Sequence, residues 1–240
     1  SSDGSKKVIE DHIANFSYCI SEPDLGIYNA MNKGIKAAKG DYVLSLNSGD
    51  TFYENDVLER ASQRINNDFQ IYYGDVIRIY NEQKSIKKTY PKTLSFSFFL
   101  DSALAHQTVF INKTLFEELF YYKEDYKILA DWDFLVYAIC KQNIAYKHLG
   151  LVIANYDMNG ISSQKEGKVI MKLERALTYK QYFPLFTLDY KHILDKQAPQ
   201  KGSVQYEIDA INSNKWVKPF YIFAVHTLYV IIKLKRKIFN

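Results

Sequence analysis

The sequence lacks most of the features that mark a secreted, membrane-spanning or nucleic-acid-binding chain. It holds two cysteines in 240 residues, Cys19 and Cys140, each within an apolar run. A disulfide framework is therefore excluded, and a reducing compartment is the default. A charge-free stretch, Pro219–Ile232, runs for fourteen residues, short of the roughly 20 needed to span a bilayer. The net charge of +4 is small and spread along the chain, so nucleic acid is not implied. No internal repeat, low-complexity linker or glycine-rich segment with a basic tail is visible. The opening "SSDGSKK" has no initiator Met and no apolar core. It reads as a loop feeding a helix, and the expectation is a chain whose true beginning lies upstream.

What is present suits an α/β enzyme domain. Hydrophobic residues make up 47% and charged residues 24%, and the length supports a full core. Ser5 can cap a helix over 6–15, and "SYCI" (17–20) reads as a short strand. "IYNAMNKGIKAAKG" places Ile27, Ala30, Met31, Ile35 and Ala38 on one helical face and stops at Gly40. A strand over 41–47 ends in Asn47-Ser48-Gly49-Asp50, and "ENDVLERASQRINN" is the next helix. "FQIYYGDVIRIY", "QTVFI" and "IAYKHLGLVIANYDM" read as strands, with "KTLFEELF" and "LADWDFLVYAICKQN" as helices between them. This interleaving predicts a mostly parallel sheet with helices on both faces. A domain over 1–160 and a helical C-terminal extension over 161–240 follow, with a long helix near 164–183. Lys233, Lys235, Arg236 and Lys237 succeed the apolar stretch. The segment 217–237 fits an interfacial helix, each lysine near an anionic surface adding about 1 kcal/mol. The alternative is a C-terminal helix docked on the domain or on a partner chain.

Candidate chemistry sits where loops should follow strands. Asp3, Asp24, Asn47–Asp50 and Asp131/Asp133 would share one crevice at the carboxyl ends of the strands. Asn47, Ser48 and Asp50 form an oxygen-only set suited to a hard cation, and Gly49 lets the backbone approach a ligand. The bland alternative is a turn capped by Asn and Asp. Asp131 and Asp133 also suit a helix N-terminus as acids opposing its dipole. They stand about 200° apart on a helix, so they should not share one role. Lys33 reads first as a solvated helix lysine, and His106, a lone histidine, first as a structural residue.

"SSDGS", "SEPDLGIYNAMNKGIKAAKGDYVLSLNSGD" and "LADWDF", in this order and spacing, resemble family 2 glycosyltransferases, most nearly the bacterial enzymes of capsule, exopolysaccharide or O-antigen synthesis. The likeness covers about residues 1–160. It implies a GT-A fold, a Rossmann-like mixed, mostly parallel sheet that binds a nucleotide-sugar and a divalent cation, Mg²⁺ or Mn²⁺. It also implies that the family's first strand and helix would precede "SSDGS". Carried over by position, "NSGD" matches the metal motif with Asp50 as its surviving carboxylate. Asp3, Asp24, Asn32, Lys33, Asn47 and His106 fall on the nucleotide-sugar side, with Gly26, Tyr28, Ala30 and Gly34 in the same motif. Asp131 falls on the general-base position, with Ala130 where the family often has Glu.

The resemblance implies inverting transfer of a sugar to a glycan acceptor, lipid-linked through a polyprenyl diphosphate, at the inner face of the cell membrane. Two rivals stay open. One is a nucleotidyltransferase making sugar nucleotides. The other is a non-catalytic, membrane-associated subunit of a polysaccharide assembly complex. The donor sugar, its base and the oligomeric state are not written in the sequence.

Overall fold

The computed structural model describes residues 4–160 and 164–189, with positions 213 and 219 as isolated points. Asp3 and, of the expected membrane-surface segment 217–237, every residue except 219 lie outside the described residues. The chain divides into two compact units, Ser1–Phe183 and Pro184–Asn240. In the second, residues 184–189 are helical, with the Thr187 hydroxyl donating to the Pro184 carbonyl at 3.0 Å.

In the first unit the helices are α1 (Ser5–Asp11), α2 (Ile27–Ala37), α3 (Val57–Ser62), α4 (Phe96–Asp101), α5 (Thr114–Glu118), α6 (Ala130–Val136) and α7 (Lys165–Tyr182). The strands are β1 (Tyr42–Val43), β2 (Thr51–Phe52), β3 (Ile71–Asn81), β4 (Lys84–Lys88), β5 (Val109–Asn112) and β6 (Tyr146–Asp157). They form one sheet in the order β1-β5-β3-β6-β2, with β4 also on β3.

The expected mostly parallel sheet is corrected here. Only β3 and β6 run parallel; β1 with β5, β5 with β3, β3 with β4 and β6 with β2 are all antiparallel. The reason is that apolar patterning carries burial and not direction. Residues Ile71–Val76 of β3 are buried in succession, as in the middle of a parallel sheet. Yet β3 leaves through a two-residue turn, Glu82-Gln83, where Asn81 Oδ1 accepts the Gln83 N–H at 3.0 Å. That turn forces β4 to return antiparallel. Residues 17–20, expected as a strand, have no ladder partner among the described residues, and Phe16, Tyr18 and Ile20 stay exposed.

Two apolar clusters hold the sheet. The larger packs Tyr28 and Ile35 of α2, Leu115 and Phe116 of α5, and Trp132, Phe134 and Leu135 of α6 with Tyr73 and Val76 of β3. The smaller sets Val57 and Ala61 of α3 on Tyr72, Phe110, Leu149, Leu151 and Ile153. Aromatic side chains dominate the larger one: Phe116 stacks on Phe134 at 4.6 Å and meets Tyr122 edge-on at 5.2 Å. Each such pair adds about 0.5–1.5 kcal/mol beyond area burial. This packing fixes the base of α2 and α6, whose first turns carry Tyr28 and Asp131.

Candidate active site

The site is assembled by a short turn. Residues His106–Thr108 form one 3₁₀ turn before β5, closed by the Thr108 hydroxyl donating to the Ala105 carbonyl at 2.8 Å. Its two leading side chains reach two different carboxylates. His106 Nδ1 lies 3.1 Å from Asp131 Oδ2, and Gln107 Nε2 donates to Asp50 Oδ2 at 2.6 Å. A carboxylate only accepts, so Nδ1 carries the His106 proton. Nε2 of His106 and Oε1 of Gln107 are buried without a protein partner among the described residues. Buried polar atoms are seldom left so, and a bound ligand or water is the usual completion.

Asp131 opens α6 and is 9% exposed. Its Oδ1 accepts the Tyr28 hydroxyl at 3.0 Å, and that hydroxyl also lies 2.5 Å from the Ile128 carbonyl. Burial first, and then the Asp131 charge, push the Tyr28 phenol far above its ordinary range. Tyr28 is thus a fixed donor that orients the carboxylate. Asp133, two residues on, faces the other way. It is fully buried, accepting the Thr178 hydroxyl at 2.5 Å and pairing with Lys123 at 3.1 Å. The opposed faces follow from helix pitch.

Asp50 ends the turn after β1. Besides Gln107, its carboxylate accepts the Asn47 N–H at 3.3 Å and the Asp157 N–H at 3.0 Å. Gly49 has φ 91°, and a Cβ there would stand 3.0 Å from Asp157 Oδ2. The turn can therefore lie against Asp157 only because residue 49 has no side chain. Asp50 and Asp157 thus meet through the Asp157 backbone, while Oδ1 of Asp157 accepts the N–H and the side-chain amide of Asn159 at 3.0 and 2.8 Å. Mg²⁺ and Mn²⁺ sites commonly use one or two carboxylates and leave the rest to water and phosphate. Among the described residues no group of three or more His, Cys, Asp or Glu is gathered for a metal, so water and phosphate would have to complete any such site beside Asp50.

The remaining sequence candidates lie on α2 and the segment before it. Lys33 pairs with Glu22 at 2.6 Å and Asp24 at 2.9 Å, a cluster at the surface. Asn32 is buried, and its amide bridges the backbone of Tyr122 in both directions (2.8 and 3.0 Å) while donating to Glu124 at 3.0 Å. Both of its side-chain N–H groups are spent on the protein. Asn47 contributes its N–H to Asp50. The structure therefore brings Asp50, Asn47, His106 and Asp131 together and holds Asp24, Lys33 and Asn32 in contacts of their own.

Gln107, Tyr28 and Asp157 enter the site without having been assigned to it from sequence. Gln107 adjoins His106, Tyr28 lies in the motif that begins at Asp24, and Asp157 ends a readable strand. Arg78 of β3 was missed altogether; its Nε is buried without a protein partner among the described residues, and its charge acts on Tyr90, whose hydroxyl accepts the Ala105 N–H at 3.0 Å beside His106.

The sheet, with two carboxylates tethered to one turn, defines an α/β protein with a carboxylate-lined site of the sort used in group transfer. The family model for glycosyl transferase family 2 matches residues 1–125, and the chain belongs to that family. It is 29% identical over 163 residues to a PGL/p-HBAD biosynthesis glycosyltransferase of Mycobacterium tuberculosis, covering 63% of this chain and 59% of the relative. An uncharacterised glycosyltransferase of the same species is 27% identical over 160 residues, covering 65% and 59%. The chain thus spans 59% of the length of these relatives. Among solved structures, S. aureus TarS in complex with UDP-GlcNAc aligns at TM-score 0.55 and 18% identity, covering 72% of this chain and 53% of that one. At that identity the likeness is one of fold.

Proposed function

We propose that this chain is the catalytic core of a bacterial glycosyltransferase that moves a sugar, with inversion, from a nucleotide-sugar to a glycan acceptor. The observation that carries the reading is the His106-Gln107 turn, which ties the Asp131 and Asp50 carboxylates into one site. Asp131 takes the proton of the acceptor hydroxyl as that oxygen attacks the anomeric carbon. Tyr28 and His106 each hold one oxygen of Asp131, which fixes the direction from which the hydroxyl must approach. Asp50 and Asp157 are the residues that would hold Mg²⁺ or Mn²⁺, which when bound supplies positive charge for the departing diphosphate. The resemblance of "NSGD" and "LADWDF" to the family's motifs supports the same assignment. The membership also supports a nucleotide-sugar donor. We assign the acceptor to a polyprenyl-diphosphate-linked glycan at the inner face of the cell membrane, with 217–237 as the surface-binding segment; its lysines and aromatic residues support that placement.

Titration calorimetry with UDP, GDP and dTDP, with and without Mn²⁺, tests the reading. At least one diphosphate is expected to bind more tightly with Mn²⁺, and Asp50→Asn to abolish the metal-dependent gain while leaving the fold intact. Preference for a triphosphate would transfer the reading to nucleotidyl transfer. Absence of any nucleotide binding would leave a non-catalytic subunit.

A further inference from the structure

Helix α7 carries an apolar ridge on its outward face. Its inner residues, Gly167, Glu174 and Thr178, are buried against the domain. The opposite face exposes Val169, Leu173 and Leu177 at 62%, 61% and 57%. At helical pitch these three lie within about 40° of one line, and Glu166 and Lys180 fall within about 20° of it. Both charged residues are exposed, and no ion pair engages either among the described residues. The line reads Glu166, Val169, Leu173, Leu177, Lys180 over roughly 21 Å. Its spacing is the same from either end, and only the sign of the terminal charge differs.

Such a ridge is complementary to its own reverse. We infer that a second copy of this chain docks antiparallel on α7, with a two-fold axis through Leu173. That axis sets Val169 against Leu177 of the second copy, Leu173 against its own counterpart, and Glu166 against Lys180, twice over. An isologous contact requires this reciprocity. Lys180 also borders a cavity of about 450 Å³ with Lys123, Asp125, Tyr126, Leu177 and Gln181. The cavity gives the first turn of the second copy, which carries Glu166, room to seat. Lys168 and Lys172 lie about 140° and 100° from the centre of the ridge and stay outside the contact. A ridge of three aliphatic residues is at the small end of specific interfaces, so the dimer dissociates in the micromolar range.

The test is sedimentation velocity on the full chain across about 1–100 µM, a range that brackets such an affinity. A concentration-dependent monomer–dimer equilibrium is expected. Leu173→Glu, which places two carboxylates on the axis, should weaken it at least tenfold. Glu166→Lys should weaken it as well, and adding Lys180→Glu should restore it, since the double exchange recreates both pairs. In a Cys19→Ser background, Leu173→Cys should oxidise to a covalent dimer and Lys168→Cys should not, because only residue 173 meets itself. A chain that stays monomeric throughout overturns the inference. So does a dimer indifferent to Leu173→Glu. A monomer that pellets with phosphatidylglycerol vesicles and is released by Leu173→Glu overturns it in favour of a lipid surface.

Discussion

Asp131 and Asp133 are separated by one residue, and their surroundings differ. Asp131 keeps an edge toward solvent and has two side-chain partners, Tyr28 and His106. Asp133 is sealed, and burial raises its carboxyl above the ordinary value of 3.8 despite opposing contributions from Thr178 and Lys123. Asp131→Asn should leave the fold and donor binding intact and lower single-turnover transfer by about 10²–10⁴-fold, the usual contribution of a positioned base. Asp133→Asn should lower it far less. Its effect belongs to stability: a folded-state value above the unfolded one favours the protonated form. That contribution is fully present below the unfolded value and is lost as pH rises through the folded one. The melting temperature of Asp133→Asn should therefore gain on the parent as pH climbs through that window and run parallel above it. A difference between the two that is flat across the window would deny the raised value. The helical phase separating these carboxylates was legible from spacing alone. What spacing could not supply was the partner of Asp131, because Tyr28 lies 103 positions away.

At the scale of elements, length and patterning gave β3, β5, β6, α2 and α6, whereas strand direction escaped. Direction is set by connections such as the Glu82-Gln83 turn, and β1 and β2 pair over only two residues each. The parallel β3–β6 contact has a local requirement that patterning hides. Its register shifts on either side of Asp75, next to Gly74. A Cβ at Gly74 would stand 2.5 Å from the Leu151 carbonyl oxygen and 2.6 Å from Ile153 Cγ1. Backbone is the obstacle, so no rotamer change relieves it, and glycine inside a strand here marks close approach. Gly74→Ala should cost about 3 kcal/mol or more, at the upper end of overpacking. Chemical denaturation would show it as a lowered midpoint with an unchanged slope. A midpoint within error of the parent would mean that β3 and β6 are further apart than described.

For the molecule as a whole, α7 joins the site to the rest of the core. The helix lies in the Ser1–Phe183 unit. Arg175 donates to the carbonyls of Phe99, Leu100 and Ser102 and lies 4.5 Å over the Trp132 ring. Glu174, buried, accepts the N–H groups of Lys127, Ile128 and Leu129 at 2.6, 3.2 and 2.9 Å. Those three amides immediately precede α6, so a carboxylate from α7 neutralises the positive end of the helix that presents Asp131. No local pattern announces such a bond, since its partners lie 45 to 47 residues away. Glu174→Gln keeps the shape but leaves one accepting oxygen for three donors. The expected loss is about 1–3 kcal/mol, with the melting temperature falling roughly 2–4 °C for each kcal/mol. Because Asp50 is held by other segments, nucleotide affinity should persist while the transfer rate falls, as the first turn of α6 loosens around Asp131. Calorimetry and single-turnover transfer on the same preparation separate the two. Should Glu174→Gln lose stability and keep the parent rate, α7 supports the core without positioning the base. If affinity and rate fell together, the disturbance would have spread beyond α6.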